Sequence, residues 1–327
     1  MVCDPVLTFT DRGIYCPAGD FHIDPWRPVD RALVTHGHAD HARWGHRRYL
    51  ATEPAAPVMR HRLGDIALET TRYGERRRIG DATVSYHPAG HIPGSAQIRV
   101  EVGGEVWVVS GDYKIEADGL SEPFEPVRCH AFVTECTFGL PVFKWAPQRE
   151  VVAEIEAWWR ANAAAGRASV LGAYALGKAQ RVLASVDPSI GPILTHGAVE
   201  ATNAILRAQG LDLPQTVPVT AETKGADHPG ALVLATPSAL GTPWMRRFGA
   251  ASTAFASGWM RLRGVRRRRA ADRGFVMSDH ADWPGLNAAI AETGAERVFV
   301  THGYTAQFRA WLAAQGFDAA IVETDYE

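Results

Sequence analysis

The 327-residue chain predicts a mixed α/β fold with a smaller α/β domain in it, and three observations carry that prediction. Short apolar runs of β character end again and again on histidines and acids. From residue 144 to about 270 the pattern changes to alternating helix and strand, as in a small parallel sheet with crossover helices. The strand-then-ligand pattern then resumes. The expected segments are residues 1–143, 144–270 and 271–327, the middle one a small parallel-sheet domain. An apolar fraction of 46% over this length supplies a sizeable interior.

In chain order, Val6-Leu7-Thr8-Phe9-Thr10, Ile14-Tyr15-Cys16 and Phe21-His22-Ile23 read as strands around the turn Asp11-Arg12-Gly13. Asp24, before Pro25, reads on its own as a turn former. Ala32-Leu33-Val34-Thr35 is a strand that delivers His36, His38, Asp40 and His41 to one loop. Residues 43–78 read as helix and turn with many arginines. Thr83-Val84-Ser85-Tyr86 leads to His91, and a hairpin turning at Gly103-Gly104 returns to Gly111-Asp112. Ala131-Phe132-Val133-Thr134 ends in Glu135-Cys136-Thr137-Phe138-Gly139.

Helix and strand then alternate: a helix at 150–159, strands at 169–174 and 192–195, helices at 177–183 and 198–209, and a strand at 231–235. Residues 246–273 hold nine arginines, no lysine and the single acid Asp272. Arg261, Arg263, Arg266, Arg267, Arg268 and Arg269 are candidate phosphate contacts, because guanidinium offers forked donors. The alternative is a solvated basic face. Gly274-Phe275-Val276-Met277 then precedes Ser278-Asp279-His280, and Arg297-Val298-Phe299-Val300-Thr301 precedes His302.

Six of the thirteen histidines thus stand at strand ends. With Asp40 and Asp112 they supply enough neutral nitrogens and carboxylates for two zinc, manganese or iron ions, and an aspartate such as Asp112 can bridge a pair. Paired ions about 3.5–4 Å apart lower the pKa of a shared water and stabilise a phosphoryl transition state, and the same apparatus can open a lactam or thioester.

The global composition narrows the partners. A formal charge of −2 does not mark a general polyanion binder, so nucleic-acid contact needs a local patch. Cys3, Cys16, Cys129 and Cys136 form no C-x-x-C pair, as expected in a reducing compartment. Met1-Val2-Cys3-Asp4-Pro5 lacks the regions of a signal peptide, and no apolar run reaches the ~20 residues of a bilayer span. The expectation is a cytoplasmic protein without a membrane partner.

The ordered set H-x-H-x-D-H, a lone His91, Gly111-Asp112, Glu135 in T-E-C-T-F-G, His280 in S-D-H-A-D and His302 in V-T-H-G resembles the β-CASP branch of the metallo-β-lactamase superfamily. The resemblance implies an αββα sandwich with an inserted α/β β-CASP domain, and Ala175-Leu176-Gly177-Lys178-Ala179-Gln180 resembles a segment of such insertions. Within the branch, Tyr15-Cys16-Pro17-Ala18-Gly19-Asp20-Phe21, Ser257-Gly258-Trp259-Met260 and Ser278-Asp279-His280-Ala281-Asp282-Trp283 resemble bacterial ligase-associated DNA exonucleases, which are also likened to mRNA 3′-end processing factors.

By that resemblance, His36, His38 and His91 hold one divalent ion (zinc or manganese), Asp40, His41 and His302 hold a second, and Asp112 bridges them. Asp24 orients a ligand. His280 protonates the leaving oxygen and Glu135 orients His280, with Asp40 counted among the catalytic residues. The implied activity is DNA-end trimming in repair, in functional association with an ATP-dependent DNA ligase. His302 matches the RNA-processing members, so RNA stands as the alternative substrate. Two further readings are a small-molecule thioester or lactone hydrolase and a non-catalytic nucleic-acid-binding subunit.

Overall fold

The computed structural model describes residues 5–264 and 271–323. The chain divides into two compact units, one made of Met1–Lys144 with His280–Glu327 and the other of Trp145–Asp279.

The first unit opens with β1 (Thr8–Thr10), β2 (Gly13–Cys16), β3 (Phe21–Ile23), β4 (Arg31–Leu33), β5 (Arg48–Thr52) and β6 (Leu68–Thr71), which form one six-stranded sheet in that order. The first three strands are an antiparallel meander and the others run parallel. Helix α1 (Ala56–Leu63) joins β5 to β6. Residues 43–78, read from sequence as helix and turn, therefore also carry strands, and the short run Tyr49-Leu50-Ala51-Thr52 is one of them. A second sheet begins with β7 (Arg77–Ile79), β8 (Ala82–Pro88), β9 (Ala96–Val102), β10 (Glu105–Val109) and β11 (Ala131–Cys136).

The second unit carries α2 (Gln148–Ala164), β12 (Ser169–Gly172), α3 (Lys178–Ser185), β13 (Ile193–Thr195), α4 (Gly197–Ala208), β14 (Val217–Pro218), β15 (Leu232–Ala235), β16 (Ser252–Ala256) and β17 (Arg273–Phe275). Its strands form one sheet, ordered β14-β13-β15-β12-β16-β17, in which every pairing is parallel. Gly274-Phe275 pairs here with Phe255-Ala256. The sequence reading returned the chain to the core at residue 271; by contact, the return falls at His280.

The chain re-enters the first unit with α5 (Trp283–Thr293), β18 (Arg297–Gly303), α6 (Thr305–Ala314) and β19 (Asp318–Ile321). The last two strands complete a seven-stranded sheet, β19-β18-β11-β10-β9-β8-β7. Three apolar clusters give this unit four layers. Val34, Ala51 and Met59 bind α1 to the first sheet. Ile23, Leu33 and Leu50 meet Ile98, Trp107 and Val133 between the sheets. Val108, Phe132, Leu286 and Phe308 seat α5 and α6 on the second sheet.

The strand period of two explains the layering. In β10, Trp107 and Val109 point between the sheets while Val106 and Val108 point at the helices, so a strand buried on both faces reads as one apolar run. Helix α5 starts where Asp282 accepts a hydrogen bond from Gly285 N at 2.9 Å, and it ends at Gly294 in left-handed conformation.

Candidate metal centre

The groups of interest in the first unit stand where strands stop. Beyond β4, Val34 N still bonds Leu50 O, after which the chain turns and Ala42 N closes the loop on His38 O at 2.8 Å. His91 lies between β8 and β9, Asp112 follows β10, Glu135 lies near the end of β11, and His302 lies near the end of β18. Gly111 has φ 56°, and a Cβ there would come within 2.6 Å of the Thr35 side chain. Only glycine lets the chain pass Thr35 and present Asp112 next to the histidine loop. Asp24 (φ 42°) and His302 (φ 56°) hold left-handed conformations that cost residues other than glycine energy, which marks both as positions fixed by their surroundings.

Two groups of donors converge on Asp112. In the first, His38 Nδ1 lies 3.2 Å from His36 Nε2 and 3.0 Å from His91 Nε2. Asp112 Oδ2 lies 3.5 Å from His36 Nε2 and 3.7 Å from His91 Nε2. Ligands about 2.0–2.1 Å from a tetrahedral zinc are about 3.3 Å apart, so these four atoms have the spacing of a shared coordination shell. In the second, His41 Nε2 lies 3.4 Å from Asp112 Oδ2, and His302 Nδ1 lies 3.6 Å from Asp112 Oδ1. Among the described residues Asp112 Oδ1 is buried and accepts no hydrogen bond. A buried carboxylate oxygen facing ring nitrogens fits a cation far better than an apolar wall. Asp40 is more open: its side chain is 54% exposed and its Oδ2 stands 3.8 Å from His41 Nε2, at the edge of the second group.

Asp24 supports the second group from behind. Its Oδ2 accepts from Thr35 Oγ1 at 2.6 Å and lies 2.7 Å from His41 Nδ1, while Oδ1 accepts from Thr35 N at 2.8 Å. This leaves His41 Nε2 aimed at Asp112. Burial opposes charge on His41, but Asp112 and Asp24 outweigh it and lift the imidazole pKa well above its ordinary value. Burial likewise opposes charge on Asp112, and the charges of His41 and His280 with the facing rings of His302 and His36 hold its carboxyl well below the usual range. His36, buried beside the charged His41, is driven well down and offers neutral nitrogens. The local field favours a carboxylate at Asp112 and positive charge beside it.

A third arrangement adjoins these. His280 Nδ1 lies 2.9 and 3.0 Å from the two oxygens of buried Glu135, and its ring centre is 4.6 Å from that of His91. Glu135 also accepts from Tyr113 N at 2.8 Å and Thr137 Oγ1 at 2.5 Å. The carboxylate is therefore fixed from three sides, and His280, with its side chain 21% exposed, presents Nε2 away from Glu135.

Thr35, Tyr113 and Thr137 were not singled out from sequence. Their roles come through a backbone N–H and hydroxyls, which leave no distinctive spacing. Arg62, whose guanidinium donates to Gly37 O at 2.5 Å in the ligand loop, was hidden among solvated arginines. Of the basic run, Arg261 and Arg263 are exposed. Arg266, Arg267, Arg268 and Arg269 lie outside the described residues.

No protein-family model matches the chain. A protein of Opitutus terrae named "Probable DNA ligase" is 29% identical over 317 residues, which are 96% of this chain and 31% of that protein. "Ribonuclease TTHA0252" of Thermus thermophilus is 29% identical over 191 residues, 50% of this chain and 44% of that protein. The chain spans less than half the length of either relative. Among solved structures, a protein of unknown function from Enterococcus faecalis V583 superposes with TM-score 0.60 over 85% of this chain and 76% of that one, at 10% identity, a likeness of fold.

Proposed function

We propose that this chain is a two-metal phosphodiesterase of the β-CASP nuclease branch of the metallo-β-lactamase superfamily and that it trims DNA ends, a reading supported by its similarity to proteins named for DNA ligation and for ribonuclease activity. The observation that carries this reading is the place of Asp112. One carboxylate lies within 3.7 Å of His36, His91, His41 and His302, so it belongs to two ligand groups at once. His36, His38 and His91 would hold one ion, Asp40, His41 and His302 the other, with Asp112 shared. Bound there, zinc or manganese activates water and stabilises charge on a phosphoryl group.

The chain's own residues supply the rest. Asp24 and Thr35 hold His41 in place. Glu135, itself held by Tyr113 N and Thr137, keeps His280 Nδ1 engaged and turns Nε2 toward the site, where it donates a proton to the departing oxygen. Loss of the 3′ oxygen leaves a 3′-hydroxyl and a 5′-phosphate. Arg261, Arg263 and Arg266 to Arg269 are the arginines proposed to bind the phosphate backbone of the substrate. DNA is favoured because a relative named for DNA ligation aligns with 96% of this chain, which also supports functional association with such a ligase. Among the described residues no helix is long and apolar enough to cross a membrane.

RNA cleavage is the second reading. It is supported by His302 in the second ligand group and by the ribonuclease name of the Thermus relative. Metal-stripped protein restored with zinc or manganese, acting on DNA and RNA strands labelled separately at each end, separates the two. Stepwise shortening of DNA from one end, lost in Asp112→Ala, is the expected result. Internal cuts confined to RNA would move the protein to RNA processing.

A further inference from the structure

We propose that Trp44 is a stacking platform for one nucleobase of the strand whose phosphate enters the metal centre. The inference rests on the nuclease reading above and names the part of the substrate that reading leaves open. Trp44 is 76% exposed, whereas among the described residues every other exposed large apolar side chain lies between 37% and 50%. Among the described residues its ring stacks on no other aromatic. Exposing an indole gives up roughly 2–3 kcal/mol of burial.

The backbone around it is held firmly. Arg43 Nε donates to Asp40 O at 3.2 Å and Arg43 Nη1 to Trp26 O at 3.3 Å. Tyr49 Oη donates to Arg43 O and accepts from His46 N, both at 3.0 Å, so one buried phenol ties the chain on both sides of Trp44. Gly45, at φ 104°, makes the turn between these ties. The indole thus projects from a fixed pedestal, and little backbone freedom is lost when something covers it.

Its position selects the occupant. Trp44 follows His41 by three residues, so at most about 11 Å of chain separates it from a candidate metal ligand, and an extended strand bound at the metal centre is long enough to span that distance. The surrounding segment from Ala42 to Thr52 holds Arg43, Arg47 and Arg48 and no acidic residue of its own; Arg47 and Arg48 both pair with Asp30, and the Arg47 side chain is still 79% exposed. A flat apolar face next to three arginines, two of which share one carboxylate so that a net positive charge remains, matches a ligand that alternates phosphates with π-faces when it stands near a candidate metal centre. Stacking tolerates any base, so Trp44 contributes grip without sequence preference.

The test is a cycle between protein and substrate. Wild type, Trp44→Ala and Trp44→Phe, each with metal content measured, act on end-labelled oligonucleotides carrying a single abasic residue moved stepwise from the cut position. On the intact strand Trp44→Ala raises KM about 5- to 100-fold, and Trp44→Phe keeps most of the affinity. At one abasic position wild type shows the same loss and Trp44→Ala adds nothing to it. Equal KM for Trp44→Ala and wild type on the intact strand would overturn the inference while wild type still cleaves, and so would the same loss at every abasic position; a protein partner would then be the occupant of the ring. If wild type cleaves no nucleic acid with zinc or manganese, the nuclease reading fails and this inference with it.

Discussion

Asp24 Oδ2 lies 2.7 Å from His41 Nδ1, across 17 residues of chain, and the same oxygen accepts the Thr35 hydroxyl at 2.6 Å. Outer partners of this kind fix the ring and sharpen the basicity of the nitrogen facing the ion. Asp24→Asn is therefore expected to weaken one of two metal-binding steps by about 10- to 100-fold and to leave the other unchanged. Isothermal titration of stripped protein reads both steps. Equal weakening of both would mean that Asp24 supports the fold and not His41.

His280 and Glu135 are assigned to proton delivery. His280→Ala is expected to lower kcat by about 10²- to 10⁴-fold with metal content unchanged, and Glu135→Gln to lower it less. Elemental analysis beside single-turnover cleavage checks both. Loss of an ion from His280→Ala would instead make His280 a ligand together with Asp112 and Glu135, a grouping the geometry also permits.

Gly111 carries a backbone requirement. Its φ is 56°, and an alanine Cβ at this position would stand 2.6 Å from the Thr35 side chain, so Gly111→Ala must push Asp112 or the histidine loop aside. The expected result is a cost of about 1–3 kcal/mol in urea unfolding together with loss of metal. Unchanged metal affinity would contradict the role given to this turn.

His46 offers a pH signature away from the ligands. Burial, reinforced by His22, pushes its imidazole down to about 4, from about 6.5 in an unfolded chain. Between those values the unfolded state holds the extra proton, so stability is complete above pH 6.5 and declines as pH falls toward 4. With partial solvent screening the contribution is roughly 1–3 kcal/mol. Urea unfolding at pH 7 and pH 4.5 should show a smaller loss in His46→Leu than in wild type. Identical losses would show that His46 plays no part in the acid sensitivity.

The parts of the site legible in the sequence are those with dense chemistry. His36, His38 and His41 sit in one loop, His91 and Asp112 each follow an apolar strand and His302 lies near the end of one, so residue type and strand ends pointed to residues that the structure brings near one another. Asp24 was ambiguous, because its bonds to Thr35 arise from parallel pairing of β3 with β4, and a local Asp-Pro reads as a turn. Gly274-Phe275 reads as a strand, but nothing in those residues says that its partner is Phe255-Ala256, so the expected boundary at residue 271 and the division by contact at His280 differ. Trp44 was passed over because exposure cannot be read from a lone aromatic in a loop.

One aspartate serving two ions is the centre of the proposed phosphodiesterase. The most direct measurement is metal content by elemental analysis, taken with DNA cleavage, for wild type, His91→Ala, His302→Ala and Asp112→Ala. The expected result is two ions in wild type, loss of one in each histidine variant, loss of both or severe weakening of both in Asp112→Ala, and activity only with two. Full cleavage by a protein holding a single ion, or undiminished binding of both ions in Asp112→Ala, would contradict it.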